Sequence, residues 1–143
     1  MGRVIVHLDS NPKDKAIASI ISGYGERVRN RGISIKASDA RGAENYELEL
    51  TNLPGNLVLL DERGESITSE ELANWLHSTQ LDNKTTNLAV GAHGGFTQKI
   101  RDSADRIFSL SHLTLTHEMA GALLMEQLYR ASEINKGSQY HRN

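Results

Sequence analysis

The sequence predicts an α/β protein, a parallel sheet with helices packed on it in an α/β/α sandwich. Three observations carry this. Asn56–Asp61 (NLVLLD), Thr86–Val90 (TNLAV) and Arg106–Leu110 (RIFSL) are apolar runs without strict alternation, as expected of strands covered on both faces. A helical pattern follows each run, the alternation that builds a parallel sheet. The chain of 143 residues, 38% of them hydrophobic, suits one domain, residues 1–143, with one core.

In chain order, Arg3–Leu8 (RVIVHL) is a β-branched first strand. Asn11-Pro12 opens a helix of about 18 residues, in which Ile17, Ile20, Ile21, Tyr24 and Val28 share a face and Gly23 and Gly25 weaken the pattern. Ile33–Ala37 (ISIKA) and Tyr46–Leu50 (YELEL) alternate, and read as two strands or as a strand and a loop. Pro54-Gly55 precedes the NLVLLD strand. Thr68 and Glu71 form a capping-box pattern ahead of the next helix. TNLAV runs into a glycine loop, GAHGGF, and TQKIRDSA is a short helix before RIFSL. From Thr116 a long helix carries Ala120, Leu123, Leu124, Leu128, Ala131 and Ile134 at helical spacing, with Met119 and Met125 on other faces, and Gly137 stops it.

Composition excludes several functions. With no cysteine there are no disulfides, thiolate metal sites or cysteine nucleophiles. The N-terminal apolar run is too short for a signal peptide, and no stretch reaches the roughly 18 apolar residues of a membrane span, so the expectation is a cytoplasmic protein without a membrane. The net charge of −2 is unevenly spread: residues 1–43 carry eight bases and four acids, Glu44–Glu71 eight acids and one base, and Arg130–Asn143 three bases and one acid. This is either ordinary solvated surface or a basic face for a polyanion.

Three segments follow the carboxyl ends of the three buried runs: Leu60–Glu65 (LDERGE), Gly91–Phe96 (GAHGGF) and Ser111–Thr116 (SHLTLT). Ligands of open α/β sheets bind at that edge. The glycine loop lacks the Lys and Ser/Thr of a P-loop and the spacing of a dinucleotide loop, and no G-x-S-x-G elbow accompanies it. His117-Glu118 begins like a zinc-protease helix, but Gly121 stands where the second histidine belongs, and His112 and His117 are five apart. No metal site is expected. Glycine backbone, hydroxyls and apolar walls remain, a pocket for a flat aromatic base.

Four features in order, LDERG, VGAHGGF, LSHLTLTHEMAGALLMEQLYRA and the final YHR, make Leu57–Asn143 resemble the pseudouridine N3-methyltransferases of large-subunit ribosomal RNA (the RlmH family) in the SPOUT superfamily. The resemblance implies a C-terminal deep trefoil knot and a homodimer that methylates ribosomal RNA, in an assembled ribosome or subunit, with S-adenosylmethionine. It places Leu60, Gly91 and the segment Leu110, Ser111, His112, Leu113, Thr114 and Leu115 at the cofactor. It places Tyr140, His141 and Arg142 at the substrate, completing the site across the subunit interface. His141 is then the candidate base, Arg142 a phosphate or base-edge contact and Tyr140 a positioning or stacking group. His117 positions substrate or caps its helix, and Arg130 is a phosphate contact or an interface ion pair. Departures stand at Ala92 and Gly94 of the glycine loop, and at Gly121, where an arginine is common in the family. They leave two alternatives, a non-catalytic RNA- or ribosome-binding relative and a SPOUT methyltransferase with another RNA target.

Overall fold

The computed structural model describes residues 2–142. Among them are five strands, β1 (Val4–Leu8), β2 (Ile33–Ala37), β3 (Asn56–Ser66), β4 (Thr86–Val90) and β5 (Arg106–Ser109). Four α-helices connect them, α1 (Lys15–Val28), α2 (Gly42–Thr51), α3 (Ser69–Leu81) and α4 (Gln98–Ser103), and α5 (His117–Lys136) follows β5. The sheet order is β2-β1-β4-β3-β5 and every neighbouring pair is parallel. This is the α/β sandwich expected from the apolar runs.

Alternate residues of the strands feed two cores. Val4, Val6, Val58, Leu60, Leu88, Val90 and Phe108 pack with residues of α1, α3 and α5. Leu57, Leu59 and Ala89 face the other way and pack with Tyr46 and Leu50 of α2, Phe96, and Ile100 of α4. A strand covered on both faces has no polar side to show, hence the continuous apolar runs.

Several sequence expectations need correction. Tyr46–Leu50 is helical, not a strand: Tyr46 and Leu50, one turn apart, are both 1% exposed, whereas Leu48 between them is 52% exposed. The Tyr46 phenol proton is shared between the carbonyls of Val90 (2.7 Å) and His7 (3.0 Å), which ties α2 to the sheet. Helix α1 begins at Lys15 rather than at Pro12, because the Asp14 carboxylate accepts from the N–H groups of Ala16 and Ile17. Ile20 lies off its buried face at 45% exposure. Met125 is fully buried in the first core, so the second apolar face of α5 is covered within the chain; only Met119 of the two methionines is exposed.

β3 runs five residues beyond Asp61. Its pairing with β5 jumps: Leu60 and Glu65 both lie opposite Phe108, and Asp61–Gly64 bulge out of the ladder between them. The bulge is what lifts the LDERG segment off the sheet edge.

Candidate active site

Three loops converge at the carboxyl edge of β3, β4 and β5 around a cleft of about 560 Å³, within the usual size range of small-molecule sites. Its walls are the β3 bulge (Leu60–Arg63), the glycine loop (Val90–Gly95) and the segment from Leu110 to His117, with Ala120 behind.

The bulge and the glycine loop are strutted together. Arg63 donates from Nε and NH2 to the two Asp61 oxygens (both 2.8 Å) and from NH2 to the Phe96 carbonyl (3.0 Å). The Asp61 side chain is 3% exposed. Burial alone would push its carboxyl up; the Arg63 bonds and charge outweigh this and hold it below the usual carboxylate range. Gly64 closes the bulge: a Cβ there would lie 2.7 Å from the Ile107 carbonyl oxygen. The lining holds two carboxylates, Asp61 and Glu62, against one guanidinium, Arg63, an acidic balance that suits a cationic ligand.

The hydroxyls of the uncharged segment each hold backbone or a neighbour. Ser109 Oγ donates to the Ser111 carbonyl (2.9 Å), and Ser111 Oγ accepts from the Leu113 N–H (2.9 Å). Thr114 donates to Glu62 (2.9 Å), binding this loop to the bulge. Thr116 Oγ1 accepts from the Met119 N–H, so Thr116 rather than His117 caps α5. The loop is thus irregular yet fixed, and it presents Leu113, 74% exposed, at the cleft lip.

Of the expected cofactor residues, Leu60, Gly91, Leu110, Ser111, Leu113, Thr114 and Leu115 line the cleft, and His117 joins them. His112 does not; it is exposed outside the lining. Gly91 also packs tightly within its own loop. A Cβ there would meet Gly95 Cα and the Phe96 ring at 3.3 Å, so it packs the glycine loop on itself. His93, to which no sequence motif assigns a role, stands edge-on to His117 with ring centroids 6.3 Å apart. Nδ1 of His117 is buried with no hydrogen-bond partner among the described residues. Gly121 faces the core: a Cβ would touch Leu8 and Ile21 at 3.3–3.4 Å, so this departure packs α5 on α1 and β1 and does not empty the cleft.

The tail is not at this cleft within one chain. Tyr140 donates to Glu126 (2.8 Å) and packs edge-on against Tyr129. His141 bonds Glu70 through Nε2 (2.9 Å) and Arg130 through Nδ1 (3.2 Å). Arg130 is also paired with Glu126 (2.9 Å), so it is held by its own chain and is not an unpaired cation awaiting phosphate. Glu126 lies nine residues along α5 from His117, about 14 Å at 1.5 Å per residue. Within one chain His117 stands at the cleft, whereas Tyr140 and His141 are bonded to residues of α3 and α5 outside its lining.

A parallel sheet with a bulged strand, a glycine loop and an uncharged loop around one edge cleft is the framework of a small-ligand-binding α/β enzyme. Residues 5–141 match the family model described as "Predicted SPOUT methyltransferase", and the chain belongs to that family. It is 38% identical over 117 residues to the Ribosomal RNA large subunit methyltransferase H of Thermotoga neapolitana, covering 81% of this chain and 76% of that one. Over 127 residues it is 42% identical to the protein of the same name from Halothermothrix orenii, covering 87% and 79%. Among solved structures, a probable methylase family protein from Haemophilus influenzae Rd KW20 shares the fold with a TM-score of 0.56 at 13% identity, over 99% of this chain and 70% of that one.

Proposed function

We propose that this chain is an S-adenosylmethionine-dependent methyltransferase acting on N3 of a pseudouridine in large-subunit ribosomal RNA. The observation that carries the reading is the cleft itself: backbone and leucine walls, slightly acidic, at the carboxyl edge of a chain of this family. Such walls fit a cofactor with a flat adenine and a cationic sulfonium. When bound, the cofactor supplies an electrophilic methyl group.

The chain's residues would then divide the work. Leu60, Leu113 and Leu115 pack the base, and the main chain of Gly91–Gly95 and Leu110–Leu115 supplies its hydrogen bonds. In this reading Leu110–Leu115 belong to a trefoil knot. The Asp61–Arg63 strut and the Thr114–Glu62 bond fix the loops against one another. Transfer from a sulfonium depends on alignment and on removal of the N3 proton. His117 stands at the cleft for positioning. In this reading Tyr140, His141 and Arg142 reach the cleft of a second copy of the chain, since in their own chain Tyr140 and His141 are bonded to Glu126, Arg130 and Glu70 rather than to the cleft lining. The active species is thus a homodimer, and its substrate is RNA in an assembled ribosome or subunit.

Mass spectrometry of ribosomal RNA from cells with and without the gene tests the reaction, and calorimetry with S-adenosylmethionine tests the cofactor. A methyl group on N3 of one pseudouridine, lost with the gene, is expected. A methyl lost from another nucleotide replaces the target. RNA binding without any lost methyl turns the chain into a non-catalytic relative.

A further inference from the structure

Beyond the end of α5 the segment is held at two residues in succession, Tyr140 and His141. Glu126 Oε2 accepts from the Tyr140 phenol (2.8 Å) and from Arg130 NH2 (2.9 Å), while its Oε1 accepts from the Gln127 amide (2.8 Å). Arg130 lies over the Tyr140 ring, 4.9 Å from its centroid, and donates from NH1 to His141 Nδ1. A guanidinium only donates, so Nδ1 accepts. The neutral ring therefore carries its proton on Nε2, where it donates to Glu70 Oε1 (2.9 Å). Glu126 and Arg130 are 20% and 24% exposed, so water reaches these bonds only in part. Every anchor lies on α3 or α5 of the tail's own chain.

We propose that Glu126 is a positioning residue for the C-terminal segment, holding Tyr140 and, through Arg130, His141, so that the segment is rigid before any partner or substrate arrives. Glu70, whose side chain is 55% exposed, adds only a solvent-exposed bond to the imidazole. The proposal rests on the catalytic reading of the tail given above. Preorganisation of this kind matters because a misplacement of about 1 Å costs on the order of 100-fold in rate.

The test uses full-length protein. Backbone ¹⁵N relaxation at Tyr140 and His141 should give order parameters near those of α5, about 0.85, falling below about 0.6 in Glu126→Ala. Methyl-transfer kcat should fall about 10- to 100-fold with the affinity for S-adenosylmethionine unchanged. Glu126→Gln, which keeps an acceptor for the phenol, should recover part of both. Tyr140→Phe, which removes one hydroxyl from the surface, should loosen the tail as Glu126→Ala does and serves if that variant fails to fold. A tail already mobile in the parent protein, or still rigid in Glu126→Ala and in Tyr140→Phe, overturns the clamp whatever the activity. A tail that loosens with no change in kcat leaves the clamp as a structural fact and overturns both its positioning role and the catalytic assignment of the tail.

Discussion

His7 sits on the second-core face of β1, 3% exposed, with Nε2 2.8 Å from Asn87 Oδ1. The Asn87 amide nitrogen donates to the Pro54 carbonyl (3.0 Å), so its oxygen faces the ring and accepts a proton carried by Nε2. Burial pulls the imidazole below its ordinary value of 6.5, only partly opposed by the Asn87 bond. An unfolded chain therefore binds a proton near pH 6.5 that the folded chain refuses. Stability from this residue is full above that pH and is lost as pH falls below it. Urea unfolding should show a midpoint that drops between about pH 7 and pH 5, and His7→Gln should flatten that slope; equal slopes in the two proteins would show that His7 is not its source. The buried carboxylate of Asp61, held low by Arg63, acts in a separate window, near and below the carboxylate range. A second residue-scale prediction concerns Gly64. Its Cβ would strike the backbone of Ile107, which cannot rotate aside, so Gly64→Ala should cost about 1–3 kcal/mol by calorimetry. It should also weaken S-adenosylmethionine binding, because β5 leads directly into the cleft loop. Unchanged stability and affinity would mean that the bulge relaxes freely.

At the scale of elements, what the sequence made legible follows from what each element buries. β3, β4 and β5 were readable because strands with helices on both faces show uninterrupted apolar runs. α3 was readable from its cap: Thr68 Oγ1 accepts from the Glu71 N–H and Glu71 accepts from the Thr68 N–H. Thr68→Ala should cost about 1 kcal/mol in thermal unfolding, and no loss would mean that packing alone sets the helix start. α2 was misread because Tyr46, Leu48 and Leu50 alternate by coincidence while only Tyr46 and Leu50 bury. The β3 bulge was hidden, since a register jump depends on β5, forty residues away, and leaves no local period. Its Asp61–Arg63 strut stood in the quoted motif, but a D-x-R spacing says nothing of the Phe96 carbonyl it reaches. The cleft loops were legible as loops after strands, and their cofactor came from resemblance rather than periodicity. His112 was misplaced because a run of candidate residues does not reveal which side chain a turn throws outward.

For the molecule as a whole, the cleft and the described residues of the tail do not meet within one chain. α5 separates them, with His117 at its cleft end and Glu126 and Arg130 under the tail. No described helix is long and apolar enough to cross a membrane, and Ile20 and Met119 are large exposed apolar groups on α1 and α5. Two copies related by a twofold axis would form two equivalent composite sites, each with the cleft of one chain and the tail of the other. Complementation tests this directly. Gly91→Val, whose side chain collides with Gly95 and Phe96, should lose S-adenosylmethionine binding through collapse of the glycine loop while keeping its tail. A chain lacking residues 140–143 should keep fold and cofactor binding, because Tyr140, His141 and Arg142 belong to neither core, and should lose methyl transfer by about 100-fold or more. Each homodimer is then inactive. In a mixed dimer, the intact cleft of the truncated chain faces the intact tail of the Gly91→Val chain, so one of two sites works and activity should return to about half the parent rate per dimer. If mixed dimers form, as tagged co-purification would show, and remain inactive, the tail does not cross. Tyr140, His141 and Arg142 would then serve their own chain or take no part in transfer.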